Sequence, residues 1–124
     1  MQEMPPPYWI TFLDKNHLRG RFCRINESED ASGIGADFVL FNEHESRDEA
    51  TNFHPGIIVS AHGYVPVGGC LSGSGDQYFI NINEGSTGSL YRIYHDAVTP
   101  EHYDADEAIA LVLKAYAKLL DHVA

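Results

Sequence analysis

Apolar residues along this chain recur at a helical spacing near the start, at a period of two through the middle and at a helical spacing again at the end. Tyr8, Trp9, Phe12 and Leu13 fall at i, i+1, i+4 and i+5, one face of a helix. Pro5, Pro6 and Pro7 can feed that helix, because proline suits a first turn. The spacing predicts a short helix over 8–17, with Asn16 or Gly20 able to end it.

The middle of the chain reads as strands. Phe22, Arg24 and Asn26 oppose Cys23 and Ile25, a weak strand pattern, and residues 37–41 form a short apolar run suited to a buried strand. Residues 27–37 are polar and glycine-containing, hence loop. Residues 42–52 are charged and aperiodic, leaving a surface helix over 45–52 or a loop. The β-branched runs at 57–61 and 64–67 predict two more strands, with Pro66 marking an edge or a strand end. Tyr78, Ile80 and Ile82 alternate with Phe79, Asn81 and Asn83, and residues 90–95 alternate likewise. The connector 84–88 has hairpin length, so these two strands are expected to be antiparallel neighbours.

Near the end, Thr99-Pro100-Glu101 has the form of an N-cap with proline at the first helical position, a short helical turn. Asp104 and Glu107 then have capping-box spacing. Ile109, Val112, Leu113, Tyr116, Leu119, Leu120 and Val123 follow at helical spacing and predict a long C-terminal helix over 105–122, with Lys114 and Lys118 toward its favourable end. A helix, about five strands and a helix make an α+β order. The 124 residues are expected to form one domain with an ordinary globular composition, 44% hydrophobic and 11% aromatic. No apolar run is long enough to span a membrane, and the opening residues lack a secretory pattern, so a cytoplasmic location is expected. Cys23 and Cys70 match no C-x-x-C spacing and are expected as thiols.

Charge narrows the function classes. Eighteen Asp and Glu against eight Lys and Arg give −10. Glu27, Glu29, Asp30, Asp37, Glu43, Glu45, Asp48 and Glu49 form one acidic stretch with Arg47 among them; Asp96, Glu101, Asp104, Asp106 and Glu107 form a second with no basic neighbour. Such fields repel nucleic acid and anionic membranes and favour a basic protein partner. The bland alternative is a solvated surface that keeps the protein soluble.

Candidate chemistry thins out on inspection. The glycines of 68–75 lack the lysine of a phosphate loop, and Tyr78 stands where a dinucleotide fingerprint needs its third glycine. His44, His54, His62, His95 and His102 have no metal-ligand spacing, and the order of Asp76, Asn81, Asn83 and Gly85 fails the calcium-loop pattern, so no metal or cofactor is expected. Cys70 with His95 and Asp96 is the most suggestive nucleophile arrangement, but a negative field raises a thiol's pKa and counts against it. A structural role is favoured for His95 and Asp96 at their strand end.

Three segments resemble the SUKH superfamily, which includes fungal cell-wall-assembly regulators (Smi/Knr-like) and bacterial toxin-immunity proteins. Residues 6–13, Pro-Pro-Tyr-Trp-Ile-Thr-Phe-Leu, are similar to its opening helix. Residues 75–82, Gly-Asp-Gln-Tyr-Phe-Ile-Asn-Ile, resemble its central strand, and residues 88–96, ending on His95-Asp96, resemble the next. The signature positions are Gly69, Gly75, Asp76, Tyr78, Gly88, Tyr91, His95 and Asp96. The resemblance implies a single domain over 1–124, a mixed, mainly antiparallel sheet of five or six strands with terminal helices, and no catalysis. It also implies an immunity protein that neutralises a cognate toxin, often a nuclease, by binding it. The partner surface is expected at Glu43, Glu45, Asp48, Glu49 and the loop around Asp76. Two other readings stay open: a cytosolic regulatory or scaffold domain, and a thiol hydrolase using Cys70 and His95. Oligomeric state is left open, although edge strands would allow a dimer.

Overall fold

A computed structural model describes residues 4–124. The fold is α+β, built on a six-stranded, wholly antiparallel sheet whose strands lie in chain order. The strands are β1 (Phe22–Ile25), β2 (Ala36–Leu40), β3 (Tyr64–Cys70), β4 (Tyr78–Asn81), β5 (Leu90–Ile93) and β6 (Ile109–Leu113). The helices are α1 (Pro7–Asn16), α2 (Glu43–Asn52), α3 (Gly56–Val59) and α4 (Ala105–Ala108).

Strand alternation gives the sheet two apolar faces, each with its own cover. Cys23, Ile25, Phe38, Leu40, Val65, Val67, Tyr78, Ile80 and Leu90 point to one face, where Trp9 and Leu13 of α1 pack with Tyr116 and Leu119. Trp9 and Leu13 are one helical turn apart, as the opening periodicity predicts. Tyr116 packs edge-on to Trp9, with ring centroids 5.1 Å apart. On the opposite face, Phe79 and Ile93 pack with Val59 of α3, Val98 and Ala108 of α4. Phe79 therefore belongs to a second small core, where full burial of such a side chain contributes about 1.5–3 kcal/mol.

Three expectations are corrected. Residues 105–122 do not form a long helix: α4 lasts four residues, β6 follows, and a 3₁₀ segment runs Tyr116–Asp121. The run Ile-Ala-Leu-Val-Leu completes the sheet by pairing with β5, and a helix there would leave β5 without its outer neighbour. Residues 57–61 are not a strand but α3 and a 3₁₀ turn, Ser60–His62. The Pro55 carbonyl accepts from Ile58 N at 2.9 Å and Val59 N at 3.1 Å, and Gly56 lies so close to α2 that a Cβ there would sit 2.2 Å from the Glu49 carbonyl oxygen. Thr99-Pro100 starts no helix: Thr99 N donates to His102 O at 3.0 Å, Val98 bridges Tyr103, and a tight turn results.

Smaller corrections concern β3 and α2. Pro66 lies within a central strand, where its missing N–H coincides with a register shift between Pro66 and Gly68. Gly68, Gly69 and Cys70 belong to β3, so the glycine loop itself starts at Leu71. Of the two readings for 42–52, the helix is correct, and it starts on a capping box: Asn42 Oδ1 accepts from Glu45 N, and Glu45 Oε1 accepts from Asn42 N.

Both outer strands are covered. Arg24 N donates to His122 O, Ala124 N donates to Phe22 O and Cys23 bridges Val123, so the C-terminal residues pair with β1. Across the curled sheet, Ala31 N of the β1–β2 loop donates to Val112 O of β6 at 2.9 Å. Edge pairing with another chain is thereby blunted at both margins. Among the described residues no helix is long and apolar enough to cross a membrane.

Candidate functional site

The loop between β3 and β4 gathers much of the candidate chemistry. Cys70, at the end of β3, is half-buried, and its Sγ lies 3.1 Å from Ser72 Oγ and 3.2 Å from Ser74 Oγ. Partial burial pushes the thiol up, but hydrogen bonds from the Ser72 and Ser74 hydroxyls and from the Ser72 and Gly75 backbone outweigh it and lower the pKa to about 7. The expected upward shift from the chain's negative charge is therefore overturned by local donors. Gly75 makes the wrap possible: its φ is +78°, and a Cβ there would press on the His95 ring at 3.3 Å.

His95 serves carboxylates rather than the thiol. Its Nδ1 lies 2.6 Å from Asp76 Oδ1, its Nε2 lies 3.0 Å from Asp96 Oδ1, and its backbone N donates to Asp76 at 3.0 Å. The hydrogen-bonding partners of the Cys70 thiol among the described residues are the Ser72 and Ser74 hydroxyls and the Ser72 and Gly75 backbone. Among the described residues no His, Asp or Glu side chain hydrogen-bonds the thiol, whereas a Cys-His hydrolase pairs its thiol with a base.

The carboxylates expected to meet a partner divide into engaged and exposed. Glu43 Oε1 accepts from Arg19 Nε at 2.6 Å, which holds its carboxyl below the usual range. Glu45 closes the α2 cap, and Asp48 accepts from Asn52 at 2.7 Å. Glu49 accepts from Gln77 Nε2 at 3.2 Å; burial raises its pKa, with the Gln77 bond and Asp48 acting in opposite directions. Gln77 Oε1 in turn accepts from Cys70 N at 2.7 Å, tying α2 to the glycine loop. Asp76 is held by His95 and only 14% of its side chain is exposed.

The second acidic group presents itself more freely. It occupies the 3₁₀ turn His95–Ala97, the tight turn after it and α4, which lie side by side. Asp96 has 93% of its side chain exposed, and Glu101, Asp104, Asp106 and Glu107 are exposed as well. Among the described residues none of these five pairs with a Lys or Arg. His54 Nε2 meets the His95 carbonyl at 3.0 Å, so the end of α2 abuts this ridge.

One buried ion pair was not foreseen from the sequence. Arg92, on β5, and Asp30, in the β1–β2 loop, are 3.3 Å apart with 3% and 0% of their side chains exposed. Arg92 also donates to Tyr78 Oη at 3.1 Å, Gly35 O at 2.6 Å and Ser32 Oγ at 2.5 Å. Arg92 and Tyr78 line an open cleft of about 670 Å³, with Arg24, Glu27, Ile34, Asp37, Ser72 and Ser74 among its other walls. Nothing in the strand pattern marks Arg92 as buried, because its partner lies 62 residues away.

The remaining signature positions have structural placements. Gly69 lies under Phe41, Gly88 lies against Glu84, and Tyr91 stacks edge-on with Tyr64 while its hydroxyl donates to Glu84. Among the described residues no three His, Cys, Asp or Glu side chains assemble into a set that could hold a metal ion. His62 Nδ1 meets the Tyr103 hydroxyl. Comparison with known proteins finds no matching family model, no matching curated protein and no matching solved structure.

Proposed function

We propose that this protein is a non-enzymatic binding domain of the toxin-immunity type, presenting an acidic surface to a basic protein partner. The observation that carries the reading is the ridge of Asp96, Glu101, Asp104, Asp106 and Glu107, exposed and without Lys or Arg partners among the described residues. Exposed charge of one sign steers an oppositely charged partner and disfavours wrong ones. The basic active cleft of a nuclease toxin has the complementary character. Glu45 and Asp48 of α2, hydrogen-bonded to Asn42 and Asn52 but paired with no Lys or Arg among the described residues, extend the field, whereas Glu43 meets Arg19 and Asp76 meets His95. The resemblance of residues 6–13, 75–82 and 88–96 to the SUKH superfamily supports the same class.

The test is biological. Co-expression with the polypeptide encoded beside its gene should protect cells from that polypeptide, and the protection should fall when Asp96, Glu101, Asp104, Asp106 and Glu107 are replaced by their amides. A chain that protects from no adjacent product would remove the immunity reading. A regulatory scaffold role would instead show binding that persists at high salt.

A further inference from the structure

Phe53, just after α2, is 50% exposed and Ile57, in α3, is 45% exposed. Ile57 N donates to Phe53 O at 3.0 Å, which holds the two residues close together. Their exposure follows from the fold. Gly56 pins α3 against α2, Val59 enters the core beneath, and the helical period then turns Ile57 outward.

The segments that flank this apolar pair carry acidic and polar residues. Asp48 of α2 accepts a hydrogen bond from Asn52, the residue before Phe53. Across the His54–His95 contact lies Asp96. Next to Ile57 in the chain, Ile58 lines a smaller cavity of about 280 Å³ together with His62, Pro100, Glu101, His102 and Tyr103. An apolar centre, an adjoining slot and a charged rim are the parts of a protein-docking surface.

We infer that Phe53 and Ile57 anchor a basic amphipathic segment of a partner protein, with Asp48, Asp96 and Glu101 as its acidic rim and the slot beside Ile58 receiving one partner side chain. This rests on the acidic-surface reading above and specifies where on that surface the partner seats. Charge selects the occupant. A second copy would set rim against like-charged rim, and an anionic membrane would be repelled, whereas Lys and Arg flanking apolar residues satisfy both parts of the surface.

The test uses two synthetic peptides of equal length and lysine content. In one, Lys and Leu are patterned as an amphipathic helix; in the other each Leu is replaced by Ser. Each is titrated into the isotope-labelled full chain and followed by backbone amide shifts. The Leu/Lys peptide should bind about tenfold more tightly, as expected for apolar anchors at the centre of an interface, with the largest shifts at Phe53, Ile57 and Ile58. The double variant Phe53→Ser/Ile57→Ser should lose that advantage and keep its affinity for the Ser/Lys peptide. The variant Phe22→Ser, altering exposed apolar surface elsewhere, should keep both.

Equal affinity for the two peptides, shifts centred on Phe22 and Leu71, or an advantage surviving the double variant would overturn the inference while leaving the acidic-surface reading intact. A concentration-dependent dimer of the wild-type chain that the double variant disperses would overturn it by assigning the surface to a second copy. Failure of both peptides to bind would remove the acidic-surface reading as well.

Discussion

At Cys70, four short-range donors decide what a long-range field does not. The thiol's pKa of about 7, against an ordinary 9.0, predicts that alkylation by iodoacetamide rises with pH and inflects near 7. Ser72→Ala/Ser74→Ala should move the inflection upward; an unchanged profile would show that the serines do not hold the thiolate. The sign for stability follows from the lowered value. The thiolate's contribution is fully present above about 9 and is lost as pH falls through about 7. The stability difference between wild type and Cys70→Ser should therefore grow between those pH values in urea titrations, and parallel curves would contradict it. This property is invisible in the sequence, because it depends on Gly75 turning its backbone back onto Cys70 across a loop. The strand expected to run to His95 stops at Ile93: His95 and Asp96 lie in the following 3₁₀ turn, where His95 holds Asp76 while Asp96 keeps 93% of its side chain exposed.

Among the elements, those set by local pattern are the ones the sequence makes plain. The opening helix, β1, β2, β4 and β5 follow from periodicity, and the capped start of α4 follows from Asp104 accepting Asp106 N. Residues 109–113 and 57–61 reverse their expected types because tertiary context outweighs a short apolar run, which either period can fit. The first run completes the sheet beside β5, and the second follows the Pro55 carbonyl and the tight approach of Gly56 to α2. The β1–β2 loop depends on one ion pair. Asp30→Ala leaves the Arg92 guanidinium buried beside Tyr78 without its carboxylate, so it should cost about 3 to 5 kcal/mol in urea unfolding. The double change Asp30→Leu/Arg92→Met should cost much less, and equal costs would argue against an uncompensated buried charge. Deleting residues 122–124 bares the β1 backbone beside exposed Phe22. The shortened chain should self-associate in sedimentation at concentrations where the full chain does not.

For the whole molecule, charge is polarised along the chain and hence across the fold. Fifteen of the eighteen carboxylates but two of the eight Lys and Arg lie between residues 25 and 113, and one of those two, Arg92, is buried. The other six cations sit in or beside α1, β1 and the C-terminal segment, which pack together. The excess of acid was countable in the sequence, but which carboxylates stay available was not. Arg19 approaches Glu43 from 24 residues away and His95 approaches Asp76 from 19, so only the folded chain separates engaged from exposed groups. The ridge from Asp96 to Glu107 is thereby the centre of the account. Its most direct test is the affinity of the Ser/Lys peptide for the wild-type chain and for the variant with all five ridge carboxylates amidated, measured from about 0.01 M to about 0.15 M ionic strength, over which the screening length shrinks from roughly 30 to 8 Å. The wild type should bind at low salt and weaken steeply, and the amidated variant should bind weakly throughout; salt-independent binding, or equal affinity for the two chains, would contradict the acidic-surface account.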